Sequence, residues 1–293
     1  MIVVKLQGGL GNQMFQYAIG KAMATRLHCS FYFDHRFLDD RSANANWTFR
    51  TFDLDVFGLP ERRADTQTLA SFFSNSSWLK NKGVQLGWLK PNQVIKERHF
   101  HYDGHLQYAR GHLYLDGYWQ SPKYFENVQD ELRKELRIVI PTEPGSGDLL
   151  NRIRNCNSVC INVRRGDFLS NSFHAVCSEN YFENAISYMQ KNISDPIFFV
   201  FSDDKDWAQQ VFGEMGNAVI VGEIHDGLKY SNKLMLMAAC KHFIIPNSSF
   251  AWWAVWLANQ KDNIVIAPQT WFNDPAWDTR DLVPEHWIRL TNA

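Results

Sequence analysis

Two adjacent arginines follow a short apolar run near the middle of the chain. The run spans residues 159–163, and the letters RRGD occupy positions 164–167 after it. A short apolar run of this kind predicts a strand that is buried on both faces. Guanidinium groups bind phosphate through bidentate, charge-assisted hydrogen bonds. Arg164 and Arg165 therefore indicate an anion site, with Asp167 orienting one arginine, although an ion pair that only caps the strand fits the same pattern.

A glycine-rich segment near the start of the chain suits the same chemistry. Residues 2–6 predict a strand, QGGLGNQ follows at 7–13, and apolar spacing predicts a helix over about 14–27. A glycine loop between a strand and a helix can hold an anion at the helix N-terminus. Asn12 and Gln13 are the polar side chains best placed to touch it. The segment matches neither the dinucleotide fingerprint nor a phosphate loop, and a tight packing turn is the alternative.

Polar segments also follow two predicted strands in the second half. Residues 202–204 follow the apolar run 197–201, and residues 247–250 follow the run 243–245. The carboxyl ends of parallel strands meet at one edge of a sheet, so these segments should lie beside the arginine pair. Residues 247–249 lead into a predicted helix, which indicates either a second anion cradle or plain helix capping. Arginines beside a helix N-terminus suit a diphosphate.

Strands alternate with helices through the second half, which predicts a parallel, doubly wound sheet. The segment PTEPGSG at 141–147 is a predicted linker between a first domain, 1–140, and a second domain, 148–293. The expected fold is α/β, with two Rossmann-like domains and a crevice between them, as sugar transferases use. In the second domain the predicted strands are 159–163, 197–201, 218–221, 243–245 and 264–267, and the predicted helices are one capped by Ser178, then 205–215, 231–241 and 251–259.

The first half shows no convincing metal site. Asp53 and Asp55 form an Asp-x-Asp, but they alternate with apolar residues, so 52–56 predicts an edge strand with one wet face. His99 and His101 fall on one side of a predicted strand over 94–102, with no carboxylate placed to complete a site. Further predictions are strands over 30–34 and 113–119 and an amphipathic helix over 126–139.

Composition narrows the class of protein. The chain has 293 residues and a formal net charge of −1, which argues against a nucleic-acid binder. Its five cysteines form no CxxC pair and read as thiols in a reducing compartment. No apolar run reaches about 18 residues, and the opening run is short for a signal peptide, so a cytoplasmic protein is expected. The many aromatic residues suit core packing and sugar binding.

Four segments together resemble glycosyltransferase family 11, whose best-known members are α-1,2-fucosyltransferases. They are QGGLGNQMFQYA at 7–18, RRGDF at 164–168, FSDD-x-x-W at 201–207 and LMLMAACKHFIIPNSSFAWW at 234–253. The resemblance implies a GT-B-like fold, GDP-fucose as donor, inversion, no required metal or other cofactor, and a terminal β-galactoside acceptor. It implies that the protein is a galactoside 2-α-L-fucosyltransferase that acts in carbohydrate biosynthesis, including that of O-antigen. Asn162 stands where the wider fucosyltransferase pattern has histidine, so that histidine's role cannot be carried over.

The resemblance also assigns roles. The first domain would lie on the acceptor side and the second would bind the donor, with Arg164 meeting the charge that grows on the β-phosphate and Arg165 and Asp167 completing the catalytic set. Predicted acceptor-site residues are His174 and Trp119, although an ordinary loop histidine is the alternative for His174. A base for the acceptor hydroxyl has three candidates, Asp167, His174 and Asp204, and the sequence does not choose among them. The predicted donor-binding residues are Gly9, Gly11, Asn12, Gln13, Ser202, Asp203, Asp204, Asn247, Ser248, Ser249 and Phe250.

Expected partners are GDP-fucose and a galactose-terminated oligosaccharide or lipid-linked glycan, with no nucleic acid and at most peripheral membrane association. Other hypotheses stay open. A transferase could use another sugar or acceptor. Two doubly wound halves also suit a nucleotide-binding oxidoreductase, although the incomplete glycine fingerprint speaks against it. The aromatic residues suit a non-catalytic sugar-binding protein, which would have no use for arginines aimed at a diphosphate.

Overall fold

The structure is a computed structural model that describes residues 1–42, 49–73, 91–138, 143–169 and 177–292. Contacts within the chain divide it into two units, Met1–Glu135 and Leu136–Ala293. This division comes before the predicted linker at 141–147, part of which lies outside the described residues. The end of that segment is not a linker, because Ser146 and Gly147 open a helix.

The first unit contains a four-stranded parallel sheet in the order β2-β1-β4-β3. Central strand β1 is apolar and almost fully buried, as a strand covered on both faces must be. The strands are β1 Ile2–Lys5, β2 Phe31–Asp34, β3 Asn92–Lys96 and β4 His112–Asp116. The α-helices are α1 Leu10–Leu27, α2 Arg36–Asp39, α3 Thr66–Phe73 and α4 Gln129–Glu135, with 3₁₀ helices at Leu54–Phe57, Gly104–Tyr108, Pro122–Tyr124 and Glu126–Val128.

Helix α1 begins earlier than predicted, at Leu10 rather than about Met14. Gly9 is its N-cap residue, and the N–H groups of Asn12 and Gln13 both donate to the Gly9 carbonyl at 3.0 Å. Gly11, Asn12 and Gln13 therefore lie in the first helical turn and not in a loop. The turn itself is made at Gly8, whose φ of 77° is in the left-handed region that favours glycine.

Four other predictions in this unit are wrong in the kind or the length of the element. Residues 52–56 form no edge strand, because Gln13 draws this segment onto α1: its side-chain amide donates to the Thr51 carbonyl at 2.7 Å and accepts the Asp53 N–H at 2.8 Å. The strand predicted over 94–102 ends at Lys96, and the one predicted over 113–119 ends at Asp116. The helix predicted over 126–139 is a 3₁₀ turn followed by the short helix α4.

The second unit contains a six-stranded parallel sheet in the order β10-β9-β8-β5-β6-β7. Of these six strands, the last one, β10, was not predicted. The strands are β5 Asn157–Val163, β6 Pro196–Ser202, β7 Ala218–Ile220, β8 His242–Ile244, β9 Val265–Pro268 and β10 Ile288–Leu290. The helices are α5 Ser146–Arg154, α6 Gly166–Leu169, α7 Glu179–Asn192, α8 Lys205–Phe212, α9 Ser231–Ala238 and α10 Ser249–Ala258, with 3₁₀ helices at Glu223–His225 and Leu228–Tyr230.

Central strand β5 supports the charged loop that follows it. Val159, Ile161 and Val163 are at most 1% exposed and join one core cluster with the apolar face of α7. Asn162, the departure from the histidine pattern, is buried and donates to the Phe201 carbonyl on β6 at 3.1 Å. Ser178 caps α7 by accepting the Tyr181 N–H, as predicted. Two units with parallel α/β sheets confirm the predicted fold class of Rossmann-like domains.

Candidate functional site

Three loops of the second unit meet at the carboxyl edge of its sheet. Strand β5 lies between β8 and β6, so Arg164 and Arg165 emerge between the segments 247–250 and 202–204. We call this set of loops the arginine edge. The structure thus brings together the predicted residues that follow these three strands, as expected for ligand sites in parallel sheets.

Aspartates from the neighbouring strand hold both arginines. Arg164 Nη1 lies 2.9 Å from Asp203 Oδ2, with side chains 30% and 23% exposed. The other oxygen of Asp203 accepts the Arg165 backbone N–H at 2.8 Å. The side chain of Arg165 donates from Nε to Asp204 at 3.3 Å, and its guanidinium lies 4.5 Å from the Trp207 ring centroid. Both arginines are therefore positioned before any ligand arrives.

Asp203 and Asp204 orient the arginines, a role for which the sequence analysis considered only Asp167. Spacing along the chain did not indicate this, because the aspartates belong to a different strand. The side chain of Asp167 lies outside the described part of the structure, and so does the whole of His174, so their predicted roles stay predictions. Asp204 is also engaged as a helix cap, since its Oδ1 accepts the Trp207 N–H.

The start of helix α10 forms the other side of the arginine edge. Ser248 is the N-cap residue, and its hydroxyl accepts the Ala251 N–H at 3.4 Å. Asn247 is 3% exposed; its amide nitrogen donates to the Trp271 carbonyl at 2.7 Å, while its buried oxygen has no partner among the described residues. Ser249 and Phe250 lie in the first turn. The capping interpretation of Ser248 is thus correct, and a ligand contact in addition remains a prediction.

Lys233 is a third cation at this edge, and the sequence analysis missed it. Its ammonium lies 2.9 Å from Asp226 Oδ1 and 3.4 Å from the carbonyl oxygen of Ser202, with a side chain only 10% exposed. The hydroxyl of Ser202 in turn accepts the Asp204 N–H at 2.9 Å. A lysine in the first turn of α9, directly before the apolar run 234–239, was the available signal, because charged residues are rarely buried without a partner.

Side-chain amides cross-link the loops at the carboxyl edge of the first unit, beside an ion pair between Lys5 and Asp116 at the ends of β1 and β4. These loops follow β1, β4 and β3, which are neighbours in the sheet, and we call this edge the glycine edge. The side chain of Gln16 joins two of these loops, because it accepts the Gln7 N–H and donates to the Gln7 and Gly117 carbonyls. Gln120 donates to Asn12 Oδ1 at 2.8 Å and ties the β4 loop to the start of α1.

The side chains predicted to contact the sugar-nucleotide donor at the glycine edge are not equally accessible. Gln13 is fully buried, and its amide is hydrogen-bonded to Gly8, Thr51 and Asp53. In this arrangement its side chain cannot contact the sugar nucleotide. Asn12 is only partly buried. A Cβ at Gly9 would lie 3.6 Å from the Arg50 guanidinium carbon, so a cation that the sequence analysis missed covers the start of α1.

Trp119, a predicted acceptor residue, is 1% exposed and lies in the β4 loop with φ of 57°. Its backbone N–H donates to Glu97 Oε1 at 2.9 Å, and the N–H of Tyr118 donates to Glu97 Oε2 at 2.7 Å. Glu97 follows β3, where the sequence analysis found no placed carboxylate. The two histidines beyond it, His99 and His101, stack on each other with ring centroids 3.9 Å apart.

The described residues contain neither a candidate metal site nor a membrane-spanning helix. Within them, no group of three or more histidine, cysteine, aspartate or glutamate side chains is arranged to hold a metal ion. No helix in the same part of the chain combines the length and apolar character needed to cross a membrane.

Two Rossmann-like units, one with fixed arginines at its carboxyl edge, are the architecture expected of a glycosyltransferase of GT-B-like fold. The model of the family "Glycosyl transferase family 11" matches residues 1–291, and the chain belongs to that family. This confirms the resemblance read from the four sequence segments.

Curated relatives refine this assignment. An "Alpha-1,2-colitosyltransferase" of Escherichia coli is 31% identical over 99% of both chains. The "O-antigen biosynthesis glycosyltransferase WbnK" of the same organism is 30% identical over 97% of this chain and 99% of its own. The "Galactoside 2-alpha-L-fucosyltransferase Sec1" of Mus musculus is 25% identical over 94% of this chain and 69% of its own. Among solved structures, fucosyltransferase NodZ from Bradyrhizobium matches with a TM-score of 0.45 at 15% identity, covering 87% of this chain and 91% of that one.

Proposed function

We propose that the protein transfers L-fucose from GDP-β-L-fucose to the 2-hydroxyl of a terminal β-galactoside, with inversion to an α-1,2 linkage. The observation that carries the proposal is the pairing of Arg164 with Asp203 at the arginine edge, next to the start of α10. A guanidinium held in this way is suited to a diphosphate. Family membership and relatives named as galactoside 2-α-L-fucosyltransferases support the choice of sugar and acceptor.

The chemistry requires a group that meets charge on the leaving GDP. As the bond between the fucose anomeric carbon and the β-phosphate oxygen breaks, its electron pair stays on the phosphate and the sugar becomes oxocarbenium-like. Arg164 stabilises that charge, helped by the N-terminus of α10. Arg165, held by Asp204 and Trp207, keeps the loop in place. No metal or other cofactor is needed in this scheme, because fixed cations take the place of a metal.

Colitosyl transfer is the second candidate function. The relative that is 31% identical over nearly its whole length is named for colitose, whereas the relative named for galactoside fucosylation is 25% identical. Colitose is fucose without its 3-hydroxyl, so the two donors share the diphosphate and differ only on the sugar. The arginine edge serves either donor.

The acceptor in the proposal is a galactose-terminated oligosaccharide or lipid-linked glycan of O-antigen type, since one relative is named for O-antigen biosynthesis. We place the reaction in the cytoplasm with at most peripheral contact with a membrane, and nucleic acid has no part in it. The first domain would receive the acceptor and the second the donor.

A donor screen with lactose as acceptor tests the proposal. GDP-fucose, GDP-colitose and GDP-mannose are compared by released GDP, and the product linkage is read by NMR. We expect α-1,2 transfer of fucose or colitose that survives EDTA. Transfer that stops in EDTA and returns with Mn²⁺ would contradict the metal-free scheme. Binding of nicotinamide cofactors, or of sugar without GDP, would favour the oxidoreductase or the non-catalytic alternative.

A further inference from the structure

The glycine edge contains a carboxylate, that of Glu97, to which the proposed mechanism has so far given no role. Glu97 stands directly after edge strand β3 and is partly buried. Each of its oxygens accepts one backbone N–H from the β4 loop, that of Tyr118 at 2.7 Å and that of Trp119 at 2.9 Å. Two backbone donors fix the carboxylate in place and leave each oxygen a further lone pair for another donor.

The indole of Trp119 lies against the same spot. A Cβ built on Gly117 would lie 2.9 Å from Glu97 Oε2 and 3.0 Å from Trp119 Cε2, the ring atom bonded to Nε1. Glycine is required there because the carboxylate and the indole close in on its backbone. The Trp119 side chain is 1% exposed, and its Nε1 has no hydrogen-bond partner among the described residues.

An unpartnered buried donor beside a fixed carboxylate indicates a missing ligand. Buried polar groups in folded proteins are nearly always hydrogen-bonded, so an exception calls for an explanation. Trp119 also holds φ at 57°, a conformation that costs energy for a bulky residue and that tends to occur at functional sites. A sugar hydroxyl fits the pair, because it can donate to the carboxylate while another oxygen of the sugar accepts from the indole. The ring of Tyr124, 5.6 Å from that of Trp119, adds aromatic surface.

The protonation of Glu97 suits proton transfer at neutral pH. Burial raises the pKa of Glu97 to about 7, although the N–H groups of Tyr118 and Trp119 act in the lowering direction. Of the charged groups around it, His99 lowers this pKa and Asp116 raises it, and Asp116 is itself paired with Lys5 at 2.9 Å. A general base works best when its pKa lies near the working pH. Asp204, one of the bases suggested by the sequence, is already engaged with Arg165 and with the start of α8.

We propose that Glu97 accepts the proton of the acceptor hydroxyl during transfer, with the indole N–H of Trp119 hydrogen-bonded to the same sugar. This inference rests on the proposed function. The acceptor oxygen forms a bond to the anomeric carbon of the donor sugar, and the bond from that carbon to the β-phosphate oxygen breaks. The electron pair leaves with GDP, and the hydroxyl proton passes to Glu97, so no further reactant is needed.

Steady-state kinetics of Glu97→Gln across pH 5–9 test the proposal. In the wild-type enzyme kcat/KM for the acceptor should rise as pH rises through about 7, because the ionised carboxylate is the active form. Glu97→Gln should lose about 10²–10⁴ in kcat and lose this rise with pH, with GDP affinity unchanged in calorimetry. Circular dichroism and thermal melting establish that the variant is folded.

Two further variants separate a base from a structural anchor. Asp116→Asn removes a carboxylate that raises the pKa of Glu97 and frees Lys5, so the midpoint of the pH profile should move to lower pH with the plateau rate kept. Trp119→Phe keeps a ring and removes the N–H, so the acceptor KM should rise about tenfold while the midpoint stays, as expected for one lost hydrogen bond. If Glu97 only anchored the β4 loop, neither the shifted midpoint in Asp116→Asn nor the raised acceptor KM in Trp119→Phe would be observed.

These experiments distinguish failure of the inference about Glu97 from failure of the proposed function. Wild-type enzyme that transfers no sugar from any GDP-sugar contradicts the proposed function and this inference together. Wild-type transfer with an unaltered rate and pH profile in Glu97→Gln contradicts the inference alone. A folded but inactive Glu97→Gln also contradicts it, if the midpoint in Asp116→Asn equals that of the wild-type enzyme.

Discussion

The carboxyl edges of the two units differ in the contacts that hold their loops. At the arginine edge, ion pairs fix three cations, and all three carboxylates come from loops after β6 and β7. At the glycine edge, neutral glutamine amides cross-link the loops beside the Lys5–Asp116 pair, and two backbone N–H groups hold Glu97. Paired charges prepare a surface for an anionic diphosphate. Neutral hydrogen bonds around one carboxylate suit an uncharged sugar.

The ion pairs of the arginine edge contribute more to geometry than to stability. The side chains of Arg164 and Arg165 are 30% and 20% exposed, and partly exposed pairs of this kind contribute about 0–1 kcal/mol. The buried amides of the glycine edge differ, since removing a buried partner costs about 1–3 kcal/mol for each group left unpaired. Variants of the arginine pairs should therefore change rates, and variants of the buried glutamine amides should change stability.

Among the variants that test this contrast, Arg164→Lys has the largest expected effect. Lysine keeps the charge and loses the planar fork that grips two phosphate oxygens. We expect kcat to fall by about 10²–10³, as for loss of one preorganised donor to developing charge, while the protein folds normally and still binds GDP. Steady-state kinetics with GDP-fucose measure this.

Two matched arginines serve as controls for that variant. The loss of kcat should be smaller in Arg165→Lys, because Arg165 is held by Asp204 and Trp207 and only positions the loop. Arg280→Lys changes an exposed arginine paired with Asp278 and should leave kcat at the wild-type value. Near-normal turnover of Arg164→Lys would reduce its pair with Asp203 to a structural contact.

Gln13→Met should affect stability rather than catalysis. Methionine has a similar volume but leaves the Asp53 N–H and the carbonyls of Gly8 and Thr51 without their partner. We expect the free energy of unfolding to fall by about 2–4 kcal/mol, measured by urea denaturation. GDP affinity should stay unchanged below the unfolding range. Weaker GDP binding with unchanged stability would restore Gln13 as a donor contact and break the contrast between the edges.

Ser248→Ala should have the smallest effect, and it should lower both stability and GDP affinity. Loss of this N-cap costs about 1 kcal/mol of stability. Ser178→Ala removes an equivalent cap from α7 and is the matched control. We expect similar losses in thermal stability, and weaker GDP binding in Ser248→Ala alone, by calorimetry. Equal GDP affinity in the two variants would make Ser248 a cap and nothing more.

The sequence was sufficient for five of the six strands of the second unit and for the loops of the arginine edge, because continuous apolar runs such as 159–163 and 197–201 are long enough to be recognised. It was insufficient for the partners of the arginines. Those depend on register: Val163 pairs with Ser202, which brings Arg164 and Asp203, the next residue of each strand, alongside each other. A pairing between residues so far apart in sequence leaves no pattern in a single chain.

The first unit was harder to predict for a different reason. The alternation at 52–56 has the period of a strand, but the buried amide of Gln13 holds this segment against α1. Glu97 drew no attention because its importance comes from Tyr118 and Trp119, which reach it only when β3 and β4 pair. Local patterns therefore predicted the unit whose core is built from long apolar runs better than the unit whose loops depend on single polar side chains.

The most direct test of the account is whether Arg164 contacts the β-phosphate. Affinities of GDP and GMP are measured by calorimetry for the wild-type protein, Arg164→Ala and Arg280→Ala. We expect wild-type protein and Arg280→Ala to bind GDP at least about tenfold more tightly than GMP, a difference of about 1.4 kcal/mol. In Arg164→Ala this preference should fall close to one. An unchanged GDP-to-GMP ratio in a folded Arg164→Ala would contradict the assignment of the arginine edge as the diphosphate site.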